Sequence, residues 1–287
     1  MTVVVGVHGI AQQQLGRKQL LAAWEPALGD GIEAAAGRPV GDVPFGLAYY
    51  GRLFLDDAGP AVRGAKGGPG EDELSDLPAD ELAELADAAG EAAGEEALRV
   101  VDQAAGKGYT RVPAVLQRVC RALDWRYGPG AALLFVGAFR QVRRYLRDDA
   151  LKASVDGIVD AAVTAGTRVL VGHSLGSVVA FEFVRRRPEH RLDLLVTLGS
   201  PLGARFVRAL MPDPAHGSAG LPDAVAAWVN VRDPHDPVAF AGSLERYWPG
   251  LRDVPVDNQG DAHAAPRYLG KWQTGAALLA VLPELAR

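Results

Sequence analysis

The sequence predicts an α/β fold built on a doubly wound, mostly parallel sheet, and three observations predict it. Short, near-continuous apolar runs rich in valine and leucine recur along the chain, as strands covered on both faces require. Segments with apolar residues at three- and four-residue steps alternate with those runs, the order of a sheet wound with helices. Finally, Gly172-His173-Ser174-Leu175-Gly176 reads Gly-x-Ser-x-Gly at the point where one such run meets one such helical pattern.

Taken in order, Thr2–Val7 predicts the first strand, Arg17–Ala35 a helix and Phe45–Tyr50 a second strand. A Gly/Pro-rich passage from Gly59 to Gly70 then reads as a hinge or linker. Between Glu71 and Glu96 there are eleven Asp or Glu and no Lys or Arg. Within that stretch Leu74, Leu77, Leu82, Leu85, Ala89 and Ala92 share one helix face, so the acids read as a solvated surface. Repulsion of anions, or a docking face for a protein partner, is the other use such a face could have. Helices follow at Arg111–Trp125, Ala131–Arg147 and about Ala150–Thr164, the second turning from apolar to basic at Arg140, Arg143, Arg144 and Arg147.

The strand Arg168–Val171 leads into the serine turn and a helix over Leu175–Arg187. Its last residues, Arg185-Arg186-Arg187, are cations at the negative end of the helix dipole, and Pro188 prevents continuation. Leu192–Leu198 predicts a strand, Ala204–Leu210 a helix, Ala226–Val231 a strand and Leu251–Val256 a weaker one. The expected organisation is one domain over residues 1–287, with a helical insertion over 55–150.

Bulk properties narrow the function. A formal charge of −5 and the lack of a basic stripe with interleaved aromatics argue against nucleic acid. No apolar run reaches the ~18 residues that span a bilayer, and no basic leader precedes the first strand. The single cysteine, Cys120, cannot form an internal disulfide and reads as an apolar residue on a helix face. The expected location is the cytoplasm.

A serine hydroxyl becomes a nucleophile when a strained turn presents it to an imidazole. Among six histidines, only His263 lies in a loop after the last strand signal and before a C-terminal helical stretch. The acid that orients such a base is sought after the preceding strand, where Asp233 and Asp236 stand three residues apart. Asp236, followed by Pro-Val, is preferred. Asp233 remains the alternative, better suited to bonding its own turn. Leu175, opening the helix after the serine, offers one backbone N–H to an oxyanion, and the loop Val7-His8-Gly9-Ile10 is expected to offer a second. No Cys/His cluster has metal-ligand spacing, and the chemistry requires neither metal nor other cofactor.

The order strand, His-Gly, insertion, Gly-x-Ser-x-Gly, strand, Gly-Ser-Pro, strand, Asp, His resembles the α/β-hydrolase superfamily in its Ser-Asp-His order. Val-Val-Val-Gly-Val-His-Gly-Ile at the start, Gly-His-Ser-Leu-Gly-Ser, and Leu-Gly-Ser-Pro-Leu-Gly at 198–203 resemble its lipase- and esterase-like members. The resemblance covers residues 1–55 and 150–287. It implies Ser174 as nucleophile, Asp236 and His263 completing a triad, and Ile10 and Leu175 as oxyanion donors. It further implies hydrolysis of a small, partly hydrophobic ester, with thioesters, amides and acyl transfer open to the same residues. A binding or regulatory module on the same scaffold is the rival from another class. The insertion matches nothing in the resemblance beyond the superfamily's habit of placing lids or substrate walls there.

Overall fold

The computed structural model describes residues 2–9, 15–57, 77–104, 109, 112–211 and 220–286. Six strands form one sheet: β1 (Val4–Val7), β2 (Phe45–Ala48), β3 (Val169–His173), β4 (Leu194–Leu198), β5 (Trp228–Arg232) and β6 (Arg252–Pro255). They lie in the order β2-β1-β3-β4-β5-β6, and every neighbouring pair is parallel. Chain order reverses between β1 and β3, which is where open α/β sheets leave a crevice at their carboxyl ends.

Both faces are covered, and this is why the strand sequences are apolar without alternation. Val5, Val7, Leu170, Leu195 and Trp228 point into one core; Val4, Val169, Val171, Val196 and Val231 point into the other. Helix α1 (Arg17–Ala36) lays Leu20, Trp24, Leu28 and Ile32 on the second face. There it meets the C-terminal helices α8 (Ala265–Leu269) and α9 (Trp272–Val281). Helices α5 (Asp149–Ala162) and α6 (Leu175–Arg186) cover the first face, with the short α7 (Arg205–Leu210) beside them. The weak strand signal at 251–256 has its cause here: β6 is the sheet edge and none of its residues is fully buried.

The insertion contributes α2 (Ala79–Gln103), α3 (Ala114–Tyr127) and α4 (Ala131–Arg147). These helices share a core of their own, in which alanines 88, 89, 92, 93, 97, 122 and 132 let the backbones approach around Leu85, Leu116, Leu123 and Phe135. Cys120 is buried in it. The first residues of the predicted acidic helix, Leu74 among them, lie outside the described residues. Gly94 breaks α2 with φ 75 and ψ 162, and the carbonyls of Ala92 and Ala93 freed there accept from Arg126 and Tyr127.

The acidic and basic stripes prove to be partners. Glu81 pairs with Arg140 at 2.9 Å, Asp80 and Glu84 with Arg143 at 2.7 and 2.8 Å, and Glu84 with Arg147 at 2.6 Å. Part of the acidic face is thereby engaged within the chain. Among the described residues no helix is long and apolar enough to cross a membrane.

Candidate active site

Strand β3 delivers Ser174 to the carboxyl edge of the sheet, and α6 starts at the next residue. Ser174 has φ 54 and ψ −126, a conformation that costs an L-residue about 1–3 kcal/mol and persists only where its surroundings impose it. Here they do. Its N–H donates to the Leu198 carbonyl at 3.0 Å, and its carbonyl accepts the Ser177 N–H at 2.9 Å and the Ser177 hydroxyl at 2.6 Å. Ser200 Oγ lies 2.7 Å from Ser177 Oγ, tying the Gly-Ser-Pro segment after β4 to the turn. Gly172 is required by contact: a Cβ there would stand 2.6 Å from the Gly176 carbonyl oxygen and from Ser177 Cα.

Three distant segments meet above this turn. His263 Nε2 lies 3.0 Å from Ser174 Oγ, and its Nδ1 lies 2.9 and 2.8 Å from the two carboxylate oxygens of Asp236. An ionised carboxylate only accepts, so Nδ1 carries the hydrogen and the Nε2 lone pair faces the serine hydroxyl. Ser174 and Asp236 are fully buried and His263 is 8% exposed. Asp236 also accepts the Val238 N–H at 2.9 Å and the Tyr268 hydroxyl at 2.8 Å.

Asp233 takes a different part. Its oxygens accept the N–H of His235 at 2.8 Å and of Asn258 at 2.5 Å, so it closes its own turn and ties the loop after β5 to the loop leading to His263. Tyr268 joins the two aspartates, because its hydroxyl accepts the Asp233 N–H at 2.9 Å while donating to Asp236. Burial, reinforced by the charge of Asp236, pushes the Tyr268 hydroxyl far above its ordinary pKa and keeps it a donor. Tyr268 has no local sequence signature; its role comes from a short helix that returns beneath the relay. Gly199 enters the sequence reading only as part of Gly-Ser-Pro; the structure gives it a role, since it stands at φ 52 and a Cβ there would fall 2.7 Å from Asp236 Oδ2.

The remaining histidines separate cleanly. His173 donates Nε2–H to the His263 carbonyl at 2.8 Å, and burial, with the adjacent His263 next, holds its pKa well below the ordinary value. His8 accepts the Tyr50 N–H at Nε2 (3.1 Å) and bonds the Gly9 carbonyl through Nδ1 (2.9 Å). Burial lowers its pKa to about 4, the Gly9 bond opposing. The Tyr50 hydroxyl donates to the His8 carbonyl. Gly9 lies against the serine turn, where a Cβ would stand 2.6 Å from Ser174 Cβ. His190 packs edge-on against Phe183, and His235 is exposed beside Asp233. His216 and Ile10 lie outside the described residues.

As the first residue of α6, Leu175 has no carbonyl four residues back within its helix for its N–H, and it sits at the positive end of the dipole. Asp233, His235 and Asp257 offer ligand atoms within 4.8 Å of one another. Both Asp233 oxygens, however, already accept backbone N–H groups, which explains the grouping without an ion.

Helix α4 reaches the loops that carry this site. Phe135 meets Phe240, four residues beyond Asp236, with ring centres 5.8 Å apart, and Phe139 meets Phe206 of α7 at 4.8 Å. The Tyr127 hydroxyl is pushed up to about 12 by burial, Arg126 opposing and the charge of Asp236 adding. No protein-family model, no curated protein and no solved structure matches this chain.

Proposed function

We propose that this protein is a serine hydrolase that cleaves a carboxylic ester through an acyl-enzyme. The observation that carries the proposal is the hydrogen-bonded series from Ser174 Oγ through His263 to Asp236, with the serine held at positive φ between a strand and a helix. In the first half-reaction His263 Nε2 takes the Ser174 proton while Oγ adds to the ester carbonyl. The tetrahedral oxyanion is stabilised by the Leu175 N–H and by a second donor, for which Ile10 is the candidate. Collapse of that intermediate expels the alcohol, which receives its proton from His263. Water then attacks the acyl-serine, giving a proton to His263, which passes it to the departing Ser174 Oγ as the acid is released, leaving neutral His263 and a free serine hydroxyl. Asp236 holds the ring in the required tautomer and stabilises the cation formed at each step.

The burial of Ser174 bears on substrate entry: part of its cover has to move before an ester reaches Oγ. Helices α2–α4, packed on the loops after β4 and β5, supply one wall of the substrate path, and their apolar core favours a hydrophobic acyl or alcohol group. The single buried cysteine is in keeping with a cytoplasmic setting.

A fluorophosphonate probe tests the reading directly. Wild type should label covalently at Ser174 and lose all esterase activity, while Ser174→Ala and His263→Ala should neither label nor turn over p-nitrophenyl esters. Labelling of Ser174→Ala at the wild-type rate would refute the assignment.

A further inference from the structure

Beside Tyr50, which bonds His8, is a solvent-open cavity of about 380 Å³ lined by Arg17, Tyr49, Tyr50, Arg52, Leu53 and Ile158. Its volume lies in the range of small-molecule sites. Leu53, Ile158 and the tyrosine rings make the walls apolar, whereas the two exposed arginines are cationic. Among the described residues neither arginine has a hydrogen-bond or ion-pair partner. Many other arginines of this chain are engaged: Arg118, Arg143, Arg168, Arg185 and Arg232 each bind a carboxylate.

Arg17 is the first residue of the 20-residue α1, followed by Lys18, with no acid in the first turn. Cations at a helix N-terminus oppose the dipole, so this end of α1, with no acid in its first turn, concentrates positive potential. The cavity is also joined to the serine turn. Tyr50, one of its walls, bonds His8 through its N–H and stacks on the His8 ring at 4.1 Å, and the next residue, Gly9, abuts Ser174.

We infer that this cavity binds a small amphiphilic anion, a carboxylate or phosphate carried on an apolar body, with Arg17 and Arg52 holding the anionic group. Guanidinium groups bind both anions through paired N–H donors, and the apolar walls take the body. The occupant is either the far end of the ester itself or a separate ligand. The first alternative rests on the serine-hydrolase reading; binding of the anion does not.

The test is calorimetric titration of 4-phenylbutyrate, phenyl phosphate and the neutral 4-phenylbutanamide into wild type, Arg17→Gln, Arg52→Gln and the double variant. Both arginines are exposed, and circular dichroism would confirm that the variants fold. The anions should bind about tenfold or more tightly than the amide, and each substitution should weaken them about tenfold while leaving the amide unchanged. Equal affinity for anion and amide, affinity untouched in the double variant, or no anion binding at millimolar concentration would overturn the inference. The ratio of phosphate to carboxylate affinity identifies the preferred head group. Kinetics with mono-p-nitrophenyl glutarate and p-nitrophenyl pentanoate then separate the two sources. A KM raised by Arg52→Gln for the glutarate ester alone marks the cavity as part of the substrate path, whereas unchanged KM values with intact anion binding mark a separate ligand. If wild type hydrolyses neither ester, the hydrolase reading fails while the calorimetry still decides the cavity.

Discussion

The carboxyl edge of the sheet and the helical insertion are held together in opposite ways. Around Ser174, several buried polar groups meet partners within the chain: Asp236 has His263, Tyr268 and Val238, and Ser177 bridges Ser174 and Ser200. In the insertion, charges stand partly in water and share partners, as Glu84 does between Arg143 and Arg147. Buried matched groups leave a costly orphan when one is removed, whereas exposed pairs are replaced by water. The site should therefore respond steeply to single substitutions and the charged seam of the insertion hardly at all.

The steepest response is expected at Gly199. Adding a methyl at φ 52, 2.7 Å from Asp236 Oδ2, combines overpacking with a left-handed backbone. Gly199→Ala should cost about 2–4 kcal/mol in urea denaturation and displace Asp236 from His263, lowering kcat far more than it raises KM. An alanine protein of wild-type stability and activity would show that the relay has more slack than its packing implies.

Next comes a pH effect at His8. The folded protein keeps this ring neutral down to about pH 4, against 6.5 for an unperturbed histidine. Between those values the unfolded chain binds more protons, so stability is full above about pH 6.5 and falls as pH drops towards 4. The loss at the acid end amounts to roughly 3 kcal/mol from this residue. His173, also held well below the ordinary value, acts in the same direction. His8→Gln should flatten the stability profile over this window, and an unaltered slope would exclude His8 as its source.

Tyr268→Phe should be milder. It strips one donor from Asp236 and leaves the Asp233 N–H without its acceptor, at about 1–3 kcal/mol. As a positioning residue, Tyr268 should alter kcat and leave KM close to wild type, a split that a purely structural residue would not produce. The smallest effect belongs to the insertion: Arg118→Ala removes a pair with Asp102 in which both side chains are about half exposed. Its stability should stay within about 0.5 kcal/mol of wild type and converge on it as salt rises. A loss of 2 kcal/mol there would erase the contrast between the two regions.

Much of the sheet was legible because strand and helix patterns are local. Valine-rich runs covered on both faces mark β1, β3 and β4, and they also locate the serine turn. Legibility declined where partners are remote. The sequence prefers Asp236 over Asp233 in their shared loop, but which of them meets His263 depends on the approach of a segment 27 residues beyond Asp236. The acidic run and the arginines of α4 were each visible, yet their pairing joins residues about sixty positions apart. Tyr268 carried no signal, because nothing near it in the chain resembles the groups it bonds.

Backbone preference and hydrophobic period act over a few residues, so the chain alone determined the alternation of strands and helices, the strained glycine-flanked turn at Ser174 and the loops in which a base and an acid should be sought. Tertiary structure decided which aspartate faces His263, that Tyr268 and Gly199 hold it there, and that the acidic helix spends part of its charge on α4. Those outcomes depend on distances between side chains brought together by packing of the whole molecule, which no local pattern encodes.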